Sequence, residues 1–409
     1  MSHSPTADST LPRRRPYLWH AIWILGAALV LAGLQAQQVR EQTRIETSHA
    51  RPIPASEFAR IQKEFSEPEG YFRSDNFVSN ETSYLYVVDK LKDLGANGGA
   101  YIGVGPEQNF TYIAKIKPQI AFIIDIRRQA VIQHLMFKAL FHLAETRAQF
   151  LSLLVSKPIL GPGLGPDASA EDLLGYFSKS ATGKGTFAHN LDLMRNTITR
   201  DFHVTLEARD LSTLEYVYAA FRDDNVNLQY RSGGYGGYRG FGGYGYGPRG
   251  FRGSFPTLGD IILQPDQHGK LGNFLAVRKD YEYVRSLQES NRVIPVVGDF
   301  GGAKALASVA SYLKKNGYTV TAFYTSNVEQ YLFSSGTFSA FAKNVGLFPI
   351  TEKSLFIRAY PNQRIQHPAA IGSHRLTTLL QKITVFLDDF KNGLYPDYWT
   401  LVRTHYIAP

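Results

Sequence analysis

The sequence contains no cysteine among its 409 residues. Disulfides, thiolate nucleophiles and zinc sites built on thiolates are therefore excluded together. The metallopeptidase motif HExxH and the hydrolase motif GxSxG are absent as well, and we expect no metal site. Charged residues make up only 19% of the chain and hydrophobic residues 44%, a balance that is typical of a folded protein rather than a disordered one.

Positive charge is in excess, with a net charge of +9, but it is spread along the chain apart from three arginines at positions 13–15 and a glycine-rich run. That run, residues 231–253, interleaves glycine with Tyr, Phe and Arg. Similar compositions occur in RNA-binding tails, where aromatic side chains stack on bases. A run so rich in glycine buries too little surface to offset the entropy that it would lose on ordering. We therefore predict a disordered surface insertion and no nucleic-acid partner.

The N-terminus predicts a membrane anchor. Residues 1–16 form a basic tail, and residues 17–36 are nearly all apolar. Twenty helical residues span roughly 30 Å, the thickness of the hydrocarbon core. The arginines favour a cytoplasmic tail, which would leave the bulk of the chain outside the cytoplasm at the cell membrane. A signal anchor fits the length of this segment, while a cleaved signal peptide and a twin-arginine export signal remain alternatives.

Residues 37–64 are polar and predict a linker, and residues 65–409 predict one α/β domain. Short apolar strands alternate with helical patterns, which indicates a doubly wound, mostly parallel Rossmann-like sheet with helical insertions. The predicted strands cover residues 100–102, 120–124, 293–297, 318–324 and 354–359, with a short one at 203–206. Two further patterns predict a long helix at 129–155 and a closing helix at 377–390.

A glycine turn follows the first strand of the domain and resembles a dinucleotide fingerprint. Gly103 and Gly105 would let a ligand approach the backbone, but Gln108 stands where the third glycine of the fingerprint belongs. Glu107 lies in the first turn of the next helix, where its charge would repel a pyrophosphate. Asp125 ends the second strand, a position from which an acid can accept both hydroxyls of a ribose. The pattern favours a nucleoside ligand without phosphate, such as S-adenosylmethionine, and an ordinary tight turn explains the same residues.

Polar residues also follow two later strands. Asp299 lies in a glycine turn after the strand at 293–297, and Asn327 and Glu329 follow the strand at 318–324. The carboxyl ends of parallel strands meet at one crevice, so these side chains are expected near the glycine turn. Asp299 is a candidate for the cofactor pocket, whereas Glu107, Asn327 and Glu329 are candidates for facing a substrate. Capping of the following helices is the alternative explanation for Asp299, Asn327 and Glu329.

Four blocks of sequence together resemble a family of uncharacterised bacterial proteins with a class I methyltransferase-like Rossmann core. The blocks are YIGVGPEQNFTYIAKIKPQIAFIIDIRRQ, ETRAQFLSLLVSKP, NRVIPVVGDFGGAKAL and TAFYTSNVEQYLF. The resemblance implies an S-adenosylmethionine-type pocket in which Gly103, Gly105 and Asp125 hold the cofactor motif and Asp299 a later polar motif. Pro106 departs from the small residue that many methyltransferases carry after the second glycine.

Two functions are therefore expected from the sequence. The first is a membrane-anchored, methyltransferase-like enzyme that uses S-adenosylmethionine and no metal. The second is a non-catalytic binding or scaffold protein of the cell envelope that retains the Rossmann shell. Methyl transfer requires mainly positioning of the reactants, so the lack of a nucleophile does not argue against the enzyme. The predicted extracytoplasmic location argues against it, because cytosolic cofactors are scarce there.

Overall fold

The computed structural model describes residues 51–160, 164–230 without 182 and 184, and 255–409 without 373, together with Met1. Apart from Met1, the predicted tail and membrane segment at 1–36 lies outside the described residues, and so does the glycine-rich insertion at 231–253. None of the helices in the described part of the chain is both long and apolar enough to cross a membrane. Residues 52–409 form one compact unit.

Six strands form a single, mostly parallel sheet. They are β1 (Ala100–Gly103), β2 (Ile120–Asp125), β3 (Val293–Val297), β4 (Val320–Ser326), β5 (Leu355–Pro361) and β6 (Leu376–Lys382). Their order is β3-β2-β1-β4-β5-β6, with β1 to β5 parallel and β6 antiparallel to β5. This is the strand order of Rossmann-like folds. The first three strands in this order are buried at every position, as apolar runs in a covered parallel sheet should be.

Fifteen α-helices occur among the described residues. They are α1 (Ala55–Phe65), α2 (Val88–Asp93), α3 (Gln108–Ile116), α4 (Arg128–Leu143), α5 (Arg147–Leu154), α6 (Ala170–Lys179), α7 (Thr186–Asn196), α8 (Ala208–Asp224), α9 (Leu258–Ile262), α10 (Arg278–Glu289), α11 (Ala305–Lys315), α12 (Val328–Ser335), α13 (Phe338–Val345), α14 (Ile383–Lys391) and α15 (Tyr398–Arg403). The first of these, α1, occupies part of the predicted linker. Its Phe58 and Ile61 are fully buried, so this segment is part of the folded unit.

The α/β class and the five strands from β1 to β5 confirm the prediction. Three local predictions were wrong. Residues 377–390 are not one helix, because the first part is β6, which pairs with β5 from Leu376 to Lys382. The helix predicted at 129–155 is interrupted at Ala144, and Thr146 begins α5 through a capping box with Gln149. Residues 203–206 form no strand.

The sheet has a topological switch point. From β1 the chain proceeds to β2 and β3 on one side, and the next strand in sequence, β4, pairs with the other side of β1. The loops that leave β1 and β4 at their carboxyl ends therefore diverge and leave a crevice. Ligands of open α/β sheets bind in this position.

Candidate functional site

A cavity of about 300 Å³ lies at the carboxyl ends of β1 to β4. This volume is at the lower end of the range for small-molecule sites. Four strand ends contribute to its wall. The contributing residues are Val104, Gly105 and Pro106 after β1, Ile124 and Asp125 in β2, Gly298, Asp299 and Phe300 after β3, Tyr324 and Ser326 in β4, and Asn327 directly after β4. The cavity therefore spans the switch point between β1 and β4.

The glycine turn is held by Asn109, a residue of α3. Its side-chain amide donates to the carbonyls of the three residues from 104 to 106, at 2.7–3.2 Å. A Cβ on Gly103 would lie 1.9 Å from Asn109 Oδ1, so this glycine makes room for the bracing side chain rather than for the cavity. Gly105 has a φ of +77°, which favours glycine, and it lines the cavity. His134 Nε2, from α4, lies 2.8 Å from the Gly105 carbonyl oxygen and gives the turn a second side-chain contact.

Asp125 lines the cavity and is paired with Arg127. The Asp125 carboxylate accepts from the Arg127 backbone N–H at 3.0 Å, from Nε at 2.9 Å and from Nη2 at 2.8 Å. Burial acts to raise the pKa of Asp125, but the charge and hydrogen bonds of Arg127 outweigh it and hold the pKa below the ordinary value. A carboxylate offers about four acceptor positions, so roughly one remains on Asp125 Oδ2 for a ligand.

The other predicted residues divide into two groups. Asp299 and Asn327 line the cavity, and Asp299 Oδ1 also accepts from the Gly301 N–H at 2.8 Å. Glu329 is fully buried, does not line the cavity, and accepts from Arg358 Nε at 2.8 Å. The structure thus brings Gly105, Asp125, Asp299 and Asn327 together and places Glu329 behind them in an ion pair.

Glu107 is also absent from the cavity wall and is buried beside it. One carboxylate oxygen accepts from the Ser79 N–H at 3.0 Å, while the other has no hydrogen-bond partner among the described residues. Burial raises the pKa of Glu107 to about 7.

Glu81 is a residue of the cavity wall that the sequence did not single out. It is 2% exposed, and its Oε1 accepts from the Tyr324 hydroxyl at 2.7 Å and from the Ser326 hydroxyl. Its Oε2 accepts from Gln108 Nε2 at 3.0 Å. Gln108, which breaks the glycine fingerprint, is therefore a partner of this carboxylate. The segment around Glu81 has no motif that would have indicated the contact.

Aromatic side chains form another part of the wall, and they too were missed because no sequence motif marks them. Phe72 and Tyr331 meet edge to face with ring centroids 5.3 Å apart, and the Arg127 guanidinium lies 5.4 Å from the Phe72 centroid. Tyr71 and Tyr230 also line the cavity. No group of three or more metal-ligating side chains occurs in the part of the chain that the structure describes.

Comparison with known proteins gives one family. Its sequence profile, described as Domain of unknown function (DUF7790), matches residues 76–158 and 258–403, which together exceed half of the chain. All residues that line the cavity lie within these ranges except Tyr71, Phe72 and Tyr230. No curated protein matches the sequence. The chain thus belongs to the family of DUF7790 domains.

Proposed function

We propose that the cavity binds a nucleoside of the S-adenosylmethionine type and that the protein is a methyltransferase-like enzyme. The observation that carries this proposal is the position of the cavity. It spans the switch point of a Rossmann-like sheet and is lined by the glycine turn after β1 and the acid at the end of β2. Nucleoside cofactors bind at this place in such sheets.

The charges around the cavity favour a ligand without phosphate. Glu81, Asp125 and Asp299 line the wall, and Arg127 is already bound to Asp125. Glu107 occupies the start of α3, where a helix would otherwise attract a phosphate group. A pyrophosphate would therefore meet several carboxylates, whereas a sulfonium cofactor carries no phosphate and is positive at sulfur.

The lining also supplies what a nucleoside requires. The Phe72 and Tyr331 rings offer aromatic surfaces that a base can contact by stacking or edge to face. Asp125 Oδ2 retains roughly one acceptor position for a ribose hydroxyl. Arg127 holds this carboxylate in place and is itself anchored, because Arg127 Nη1 donates to the backbone carbonyl of Ser74 at 2.8 Å. In this proposal, Asp299 and Asn327 contact the ligand from the other strand ends.

Isothermal titration calorimetry of the full chain with S-adenosylmethionine tests the proposal. We expect binding in the micromolar to millimolar range that is usual for enzyme ligands, and a loss of about tenfold or more in Asp125→Asn. This variant keeps the size of the side chain while removing its charge. Asp280→Asn is the matched control, because Asp280 is paired with Lys115 and does not line the cavity. Absence of binding in the wild type, or equal affinity in wild type and Asp125→Asn, would refute the proposal.

We further propose that residues 17–36 anchor the chain in the cell membrane with the α/β domain outside the cytoplasm. A phosphatase fused after Pro409 should then be active and a fluorescent protein at the same point dark. The opposite result would refute this orientation and remove the main objection to an enzyme. Binding of the nucleoside without methyl transfer to any acceptor in an envelope extract would favour the non-catalytic binding protein instead.

A further inference from the structure

Glu81 differs in its partners from three other buried carboxylates of this protein. Asp125, Asp210 and Glu329 are each paired with an arginine, at 2.8–2.9 Å. Glu81 accepts hydrogen bonds only from the neutral groups of Tyr324, Ser326 and Gln108 among the described residues.

A second buried carboxylate, that of Glu107, lies next to Glu81 and also lacks a cationic partner in the part of the chain that the structure describes. Ser79 connects them, because its backbone N–H donates to Glu107 and its hydroxyl accepts from the Glu81 N–H at 3.2 Å. One buried oxygen of Glu107 has no hydrogen-bond partner within the described ranges. Desolvation raises the pKa of both carboxyls, and the charge of Glu81 adds to the rise at Glu107. This pair of carboxyls therefore attracts positive charge, either as a proton or as a cation of the ligand.

We infer that Glu81 is the counter-charge for a cationic group of the ligand and that it makes the cavity select a sulfonium over a neutral thioether. This inference rests on the proposed function and adds the residue that determines specificity. Of the two glutamates, Glu81 lines the cavity and Glu107 does not, so Glu81 is the one that a ligand can contact. The Tyr324 and Ser326 hydroxyls hold Glu81 Oε1 in place and bring no charge that would cancel its own.

The test compares two ligands that differ at sulfur. S-adenosylmethionine carries the sulfonium, and S-adenosylhomocysteine is the same nucleoside with a neutral thioether. We expect the full wild-type chain to bind the sulfonium more tightly in calorimetry. Glu81→Gln should lose about 10- to 100-fold in affinity for the sulfonium and change less than about threefold for the thioether. Glu81→Asp, which keeps the charge, should retain the preference.

A pH series on the wild type tests the same inference without a variant. In a series from pH 5 to 7.5 the preference for the sulfonium should rise with pH, because burial raises the pKa of Glu81 and only its ionised form is a counter-charge. The titratable groups that act on Glu81 or respond to it are Glu107, Tyr101, Tyr112, Tyr324 and Tyr398. Burial raises the pKa of all four tyrosines well above the ordinary value, so they do not titrate in this range.

The outcomes separate the two proposals. A preference that is equal in wild type and Glu81→Gln, or one that falls as the pH rises, overturns the role of Glu81 while nucleoside binding stands. Binding of neither compound to the wild type overturns the proposed function and this inference with it.

Discussion

The buried carboxyl of Glu107 gives a prediction about stability that requires no ligand. Its pKa is raised from 4.5 to about 7, chiefly because the side chain is buried and further because the charge of Glu81 acts on it. The folded state therefore holds this proton more tightly than the unfolded state. The resulting stabilisation is fully present below pH 4.5 and is lost as the pH rises through 7.

The size of the effect follows from the two pKa values. Between pH 5 and pH 8, this shift lowers the free energy of unfolding by about 2.5 kcal/mol, since one pKa unit corresponds to about 1.4 kcal/mol. Glu107→Gln cannot ionise and should lose this dependence. The variant should be less stable than the wild type at pH 5, where its amide N–H groups lack an acceptor at a cost of about 1–3 kcal/mol. At pH 8 the two proteins should be much closer in stability.

Urea unfolding at pH 5, 6, 7 and 8, followed by circular dichroism, measures the dependence. The quantity to compare is the change in unfolding free energy with pH in wild type and in variant. The other titratable groups are present in both proteins, so their contributions cancel in the difference. Glu171→Gln, at an exposed position of α6, is the control and should keep the dependence of the wild type. If Glu107→Gln also keeps it in full, Glu107 does not titrate near 7 in the folded protein.

Three further single substitutions and one double variant test the packing at and behind the site. Arg358→Met should destabilise the protein by about 3–5 kcal/mol in urea unfolding, because it leaves the fully buried Glu329 without a counter-charge. Adding Glu329→Leu should recover most of this loss, and a double variant as unstable as Arg358→Met alone would contradict the explanation. Gly105→Ala should cost about 1–2 kcal/mol, since its φ is +77° but the nearest atom to a new Cβ is 3.7 Å away. Gly103→Ala should cost more, because the Cβ would displace Asn109, and the reverse order of the two thermal midpoints would contradict this account.

Local sequence was sufficient for the five parallel strands. Each is a short apolar run bounded by turn residues, and strands that are covered on both faces need no long-range partner to be recognised in the sequence. The last strand was missed because apolar residues recur at helical spacing throughout residues 376–391, so the sequence of β6 is also compatible with a helix. Pairing of Leu376–Lys382 with β5 decides the conformation there, and that pairing is not encoded nearby. The start of α5 had a local signal, because Thr146 and Gln149 have the spacing of a capping box.

The candidate site, like the fold, was determined partly by local sequence and partly by contacts between distant residues. The sequence alone determined that Gly105, Asp125, Asp299 and Asn327 follow successive strands, and the geometry of parallel sheets then brings them to one edge. Only the tertiary structure decided that Glu329 pairs with Arg358 and that Glu81, which belongs to no strand end, completes the wall. Whether a carboxylate faces a cavity or an arginine depends on residues far away in the chain. Periodicity and motif spacing describe neighbours along the chain, and the charge balance of a buried site is set by neighbours in space.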